Sequence, residues 1–330
     1  MFRHLTAPAM LLSATLLATA QSAPHHGPLL LVANQKDHTL SLIDPAKNQQ
    51  IAAVDVGGIT GHEVIASPDG KLAFVPIYGS AGVGKPGTDG QSIAVIDLNT
   101  QKIIHTIDFP HRVRPHLPRF DPSGRTLYVT TELDHSLTTI NPKTFAITGS
   151  VPTGEPESHM FVLTSDGRRA YTANVGPGNV SVIDLKTKKV ITTIPISTTT
   201  QRISITPDNK YVFTSDQTQP RLAVIDTATN TVKSWITLPS VGYGSAVTNN
   251  GKWLLVTLKN HQVGVIDLST MQMAKTLTVP GNPTEILVRP DDKVAYVSCG
   301  KQVAVIDIPT WTVPTTIEAG TGADGLAWAR

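Results

Sequence analysis

One short pattern recurs seven times along this chain: a strand of alternating apolar residues that ends in Ile-Asp or, once, Ile-Asn. The copies end at Asp44, Asp97, Asn141, Asp184, Asp226, Asp267 and Asp307, at intervals of 53, 44, 43, 42, 41 and 40 residues. A period in that range that carries only strands specifies a ring of small sheets, a β-propeller. The expectation is an all-β, seven-bladed propeller of four-stranded antiparallel blades. It overrides the two domains that the length of 330 residues would suggest.

Each unit opens on a short strand and a tight turn such as Ser67-Pro68-Asp69-Gly70 or Asp121-Pro122-Ser123-Gly124. Pro sets φ for the turn, and Gly accepts φ > 0. An apolar second strand follows, as in Leu127-Tyr128-Val129-Thr130 or Tyr211-Val212-Phe213-Thr214. A polar hairpin leads to the Ile-Asp strand. There Asp97 and Thr100, Asp184 and Thr187, and Asp267 and Thr270 share one spacing, which lets the carboxylate accept nearby backbone N–H groups. A fourth strand closes the unit, as in Val190–Ile194. Alternation outweighs any helical period almost everywhere.

These second strands, the Ser-Pro-Asp-Gly turn and the Val-Ile-Asp strand resemble the YVTN β-propeller repeat family over roughly the whole mature chain, although no unit spells Tyr-Val-Thr-Asn in full. The Gly-His and Trp-Asp pairs of WD-type propellers do not recur here. The resemblance implies a seven-bladed propeller, usually secreted or periplasmic in bacteria, in a family whose members mostly lack an assigned reaction. Haem d1, quinoprotein-like and nitrous oxide reductase propellers are kin at the level of fold.

The ends of the chain fit a closed ring. Gly322–Trp328 reads as a first strand with no blade after it, and Leu29–Ala33 as a second strand with no first strand before it. Pairing the two removes two open sheet edges. Ahead of them, Arg3 and His4, an apolar stretch from Leu11 to Ala20, and Ala18-Thr19-Ala20 spell a secretory signal peptide over residues 1–20, too short for a membrane span. The expected mature chain is one propeller domain over residues 21–330, periplasmic or extracellular, monomeric and without a membrane span.

Composition narrows the partners. With 27 basic and 25 acidic residues there is no polyanion-binding footprint, and the few scattered aromatics offer no stacking platform, so no nucleic acid is expected. Cys299, the single cysteine, falls on an apolar second strand and reads as inert core.

Aligning the first strands on their turns stacks His62, His116, His159, Gln201, Tyr243, Thr284 and Ala323 in one column at the leading end of each innermost strand. The next column holds Glu63, Leu117, Met160, Arg202, Gly244, Glu285 and Asp324. Three successive histidines on one arc are a candidate metal site, because imidazole is a common ligand and three ligands leave a coordination position open. The resemblance gives the same residues two meanings. In nitrous oxide reductase, channel histidines hold a copper cluster. In YVTN repeats, Pro-His-Gly is a frequent spelling here, with the ring bonded to backbone of the next blade. His111, Arg112 and Arg114 precede His116, and Glu155 and Glu157 precede His159. Together with Glu63, Arg202, Tyr243, Glu285 and Asp324 they predict a mixed-charge channel mouth suited to a small anion. His38, His135 and His261 fall in hairpin turns.

The long first interval comes from a Gly-rich hairpin, Gly79–Gly90. It is not a phosphate loop: Pro86 stands where a Mg²⁺-binding Ser or Thr is needed, and no helix follows. On the face of the histidines, this hairpin could close over the mouth. No nucleophile or calcium-loop motif is present. The expected function is binding or scaffolding, with a small, anionic ligand or a protein partner at the channel face. The alternatives are a metal- or cofactor-dependent enzyme on the His62/His116/His159 arc and a lactonase-like hydrolase. The cofactor expectation is limited to a transition metal at the mouth.

Overall fold

The computed structural model describes residues 27–59 and 61–330. The expected signal peptide and its cut after Ala20 lie outside the described residues. Among the described residues all regular structure is strand except one 3-10 turn, Glu132–Asp134. Five sheets are four-stranded and antiparallel: β4–β7 (Ile65–Ala66, Leu72–Gly79, Asp89–Asp97, Lys102–Asp108), β8–β11 (within 115–152), β12–β15 (within 158–195), β16–β19 (within 203–237) and β20–β23 (within 242–278). The middle strands of each are almost wholly buried. The outermost strand of a blade faces solvent: β7 buries only Ile107.

The sixth sheet corrects the expected count. It has six strands, in the order β24 (Ile286–Val288), β25 (Val294–Asp307), β26 (Thr312–Ala329), β1 (Leu29–Asn34), β2 (Thr39–Asp44) and β3 (Gln49–Asp55). The structure therefore has six blades, not seven. The physical reason is strand length. β25 pairs with β24 through Ala295–Val297 and with β26 through Gln302–Asp307. β26 in turn pairs with β25 through Thr312–Glu318 and with β1 through Ala323–Ala329. The ladder runs on past Gly300 and Gly322, so the last repeat and the closing strands share one sheet. Closure itself is as expected: Val32 lies opposite Leu326 and Leu30 opposite Trp328, with Leu30 and Val32 fully buried.

The predicted turn chemistry is present. Asp97, Asp184 and Asp307 each accept the backbone N–H of the Thr three residues on, at 2.7, 2.7 and 2.9 Å. The next residue then takes a left-handed conformation: Asn48, Gln101, Phe145, Lys188, Asn230, Met271 and Trp311 all have φ between 50° and 60°. His38, His135 and His261 occupy the corresponding left-handed place in other hairpins. Cys299 is buried, and burial pushes its thiol up to about 11.

Candidate functional site

The leading ends of the innermost strands converge on the channel. Inter-blade staples position them, and the second-strand Thr supplies the staple. Thr130 accepts Leu117 N–H within its own blade and donates to the His159 carbonyl of the next, at 2.9 and 2.8 Å. Thr257 does the same for Gly244 N–H and the Thr284 carbonyl. At the closing sheet the contact is tighter. Gly325 donates to the His62 carbonyl at 2.9 Å, and a Cβ there would fall 2.6 Å from Glu63 Cα. Only Gly allows that approach.

The three histidines do meet. The His116 and His159 rings stack at 3.6 Å with 29° between planes, and His62 lies 5.4 Å from His116. Stacked rings aim their in-plane lone pairs side by side, not at a common point. Among the described residues no group of His, Cys, Asp or Glu is arranged to hold a metal ion. The Nδ1 atoms of His116 and His159 are buried without a hydrogen bond. Burial pushes both rings below the ordinary imidazole range; for His159 the Glu132 carboxylate partly offsets it.

Tyr78, which the repeat alignment missed, packs edge-on against all three rings, with centroids 4.8, 5.3 and 6.1 Å away. Its hydroxyl donates to Glu132 Oε2. Glu132 also receives Arg114 Nη1 at 3.0 Å, and burial raises the Tyr78 hydroxyl out of reach of ordinary pH. Arg114 then ties down the Gly-rich hairpin: Nε donates to Asp89 at 2.6 Å and Nη2 to the Lys85 carbonyl at 2.8 Å. The hairpin thus lies over this corner of the mouth, packed on Arg114 and Glu132, and a cavity of about 410 Å³ remains there, lined by Gly84, Lys85, Arg114, Glu132 and Glu157. Arg112 is not in the cluster; it is exposed, and Nη1 donates to the Asp89 carbonyl. His111 pairs with Asp134, and Glu155 accepts Asn179 Nδ2.

The second column forms a buried charge cluster. Arg202 Nη2 lies 2.7 Å from Asp324 and 3.2 Å from Glu63, and Nη1 donates to Glu285. Its guanidinium also sits 5.1 Å over the Tyr243 ring. Gln35 Nε2 reaches both His62 ring nitrogens, at 3.0 and 2.9 Å, and His62 Nδ1 lies 3.6 Å from Asp324. Burial opposes charge on Arg202, but Glu63 and Asp324 outweigh it. Glu63 goes the other way: burial, against Arg202 and with Asp324 beside it, raises its carboxyl to about 7.

This cluster closes one end of a cavity of about 410 Å³ that runs down the innermost strands to the exposed turn residues Pro122, Ser165 and Asn249. This cavity lies on the turn side of the charge cluster, opposite the mouth singled out in the sequence, where the hairpin lines a second one. Arg119 lines it. It is two residues further along β8 (Pro115–Phe120) than Leu117, its Nε is buried without a hydrogen bond, and among the described residues no carboxylate lies within ion-pair distance. Burial weakens its hold on the proton, with only partial compensation from the more distant Glu63.

No family model and no curated protein matches the chain. Among solved structures it is similar to a chain of hydrazine synthase from Kuenenia stuttgartiensis, at 19% identity and a TM-score of 0.72, over 90% of this chain and 99% of that one. At that identity the likeness shows the fold alone: the chain is a β-propeller.

Proposed function

We propose that this protein is a β-propeller binding protein that receives a small monoanionic molecule in its central channel from the turn side, and not under the Gly79–Gly90 hairpin. The observation that carries this reading is Arg119: a guanidinium that lines a cavity and whose buried Nε has no hydrogen-bond partner among the described residues. Arg cannot shed its charge at ordinary pH, and Arg119 is half-buried with its Nε out of reach of water, so that donor's lost hydration is uncompensated. A bound carboxylate would accept two N–H donors in one plane and relieve that cost. The charge balance caps the ligand at one negative charge, because Glu63, Glu285 and Asp324 already outnumber Arg202.

In the test, acetate and benzoate are titrated calorimetrically into the protein and its Arg119→Met variant. The variant should fold at least as stably and bind roughly tenfold or more weakly. Equal binding by both proteins would remove Arg119 from the site.

The finer reading of the scaffold is a YVTN-type ring of seven repeat units, two of which share the six-stranded sheet. The seven equivalent left-handed turn residues and the divided pairing of β25 and β26 support it. Export belongs to the same proposal. Mass spectrometry of the native protein should find a chain beginning near Gln21 outside the cytoplasm, and a full-length cytosolic species would end that reading.

A further inference from the structure

We infer that the channel ligand is a hydroxylated monocarboxylate, held by its carboxylate on Arg119 and by a hydroxyl on the pair Ser204 and Ser245. The inference rests on the binding reading above and adds the class of ligand. Arg119 and Ser204 stand at one level of the channel. Arg119 lies opposite Tyr128 and Ser204 opposite Phe213, and these in turn face Thr139 and Val224, each directly before its Ile-Asn or Ile-Asp. Ser245, on the next innermost strand, meets Ser204 hydroxyl to hydroxyl at 2.7 Å, and both serines line the cavity with Arg119. Two hydroxyls carry two protons, and this bond uses one. Among the described residues neither Oγ has another hydrogen-bond partner, so one O–H is left to donate.

The polar groups at the rim are engaged within their own turns. Thr164 Oγ1 donates to Asp166 at 2.6 Å, Ser165 Oγ accepts Asn209 Nδ2 at 2.6 Å, and Asn249 Nδ2 donates to Asp292 at 2.8 Å. Two donors of different kind remain for a ligand: the charged Arg119 Nε and the neutral serine O–H. A carboxylate answers the first. A hydroxyl oxygen answers the second and brings a proton of its own, which Glu285, on the same wall, is fit to accept. An ammonium could not accept the serine proton. A second carboxylate would stand beside Glu285, already one of three acids around Arg202. A plain alkyl acid would cover the serine pair with methylene and leave its donor unmet. Val162, Ile203 and Leu287 lie among the polar residues and suit the short carbon skeleton of a hydroxy acid.

Propanoate with lactate, and butanoate with 3-hydroxybutanoate, are titrated calorimetrically as pairs into the whole protein, into Arg119→Met and into the double variant Ser204→Ala, Ser245→Ala. In at least one pair the hydroxy acid should bind roughly tenfold more tightly than its parent, the effect of meeting one buried donor. The double serine variant should lose that advantage and still bind the parent acid, which also shows that it is folded. Arg119→Met should weaken both members of the pair roughly tenfold or more. Equal binding within each pair, still dependent on Arg119, would overturn the hydroxyl and leave the anion reading intact. A hydroxyl advantage that survives the loss of both serines would overturn the placement on them. Binding indifferent to Arg119→Met, or no binding by any acid, would overturn this inference and the anion reading together.

Discussion

Arg202→Met should destabilise the protein by about 3–5 kcal/mol at pH 8, the cost of stripping a buried charge from its partners. The substitution leaves Glu63, Glu285 and Asp324 gathered in the channel with no guanidinium in contact. Methionine keeps much of the side-chain volume, so the loss reports charge and not a cavity. The cost should shrink at pH 5, because a carboxylate without its counter-ion can take up a proton. Glu63 is the first to do so: its carboxyl is raised to about 7 even beside Arg202. The sign follows from that direction. A carboxyl raised on folding contributes stability in its neutral form; the contribution is complete below the unfolded value near 4.5 and is lost as pH rises through about 7. Relative to Glu63→Gln, the natural protein should therefore weaken by about 3 kcal/mol across that window. Denaturant unfolding of the three proteins at pH 5 and pH 8 gives both results. A loss in Arg202→Met of under about 1 kcal/mol at pH 8, or one that grows on acidification, would show that this cluster does not hold the strands together.

Deletion of the residues after Gly320 should abolish cooperative folding. It removes Leu326, Ala327 and Ala329, all buried, and every partner on the inner side of β1. One buried leucine is worth about 1.5–3 kcal/mol, and the cut also lays bare a strand whose six residues are all buried in the intact ring. An unpaired apolar edge of that length invites aggregation. Size-exclusion and thermal melting of the truncated chain would decide the matter. A monomer with an unchanged transition would refute closure by this pairing.

Much of this was legible in the residues, for identifiable reasons. The blade type followed from the Ile-Asp period, because each unit repeats the same turn bonds. The gathering of His62, His116 and His159 followed from aligning one strand position around a ring. The blade count did not, because a sequence period is blind to hydrogen bonding across Gly300 and Gly322, where two units run into one sheet. Tyr78 and Glu132 were missed because they lie near the end of one second strand and just past the end of another, outside the two aligned columns. A carboxylate directly after Thr130-Thr131 was the available signal. Arg119 was missed because only two columns were aligned, and it lies two residues deeper, where strand alternation returns the side chain to the channel. Arg112 stays outside the cluster although it shares Asp89 with Arg114, because its side chain is exposed while that of Arg114 is buried.

The pairing of Leu29 with Ala329 also sets a timetable. The first described strand is completed by the last, so their contact cannot form until Ala329 has been made. Blades built from neighbouring segments can assemble in passing, whereas closure waits on that last strand and on the slow search that long-range pairing entails. Until then β1 has an open side, and the nascent molecule is exposed to mispairing there. The same geometry makes the final turn of the ring a proofreading step: a chain cut short, or one whose last strand arrives out of register, has no closed state to fall into.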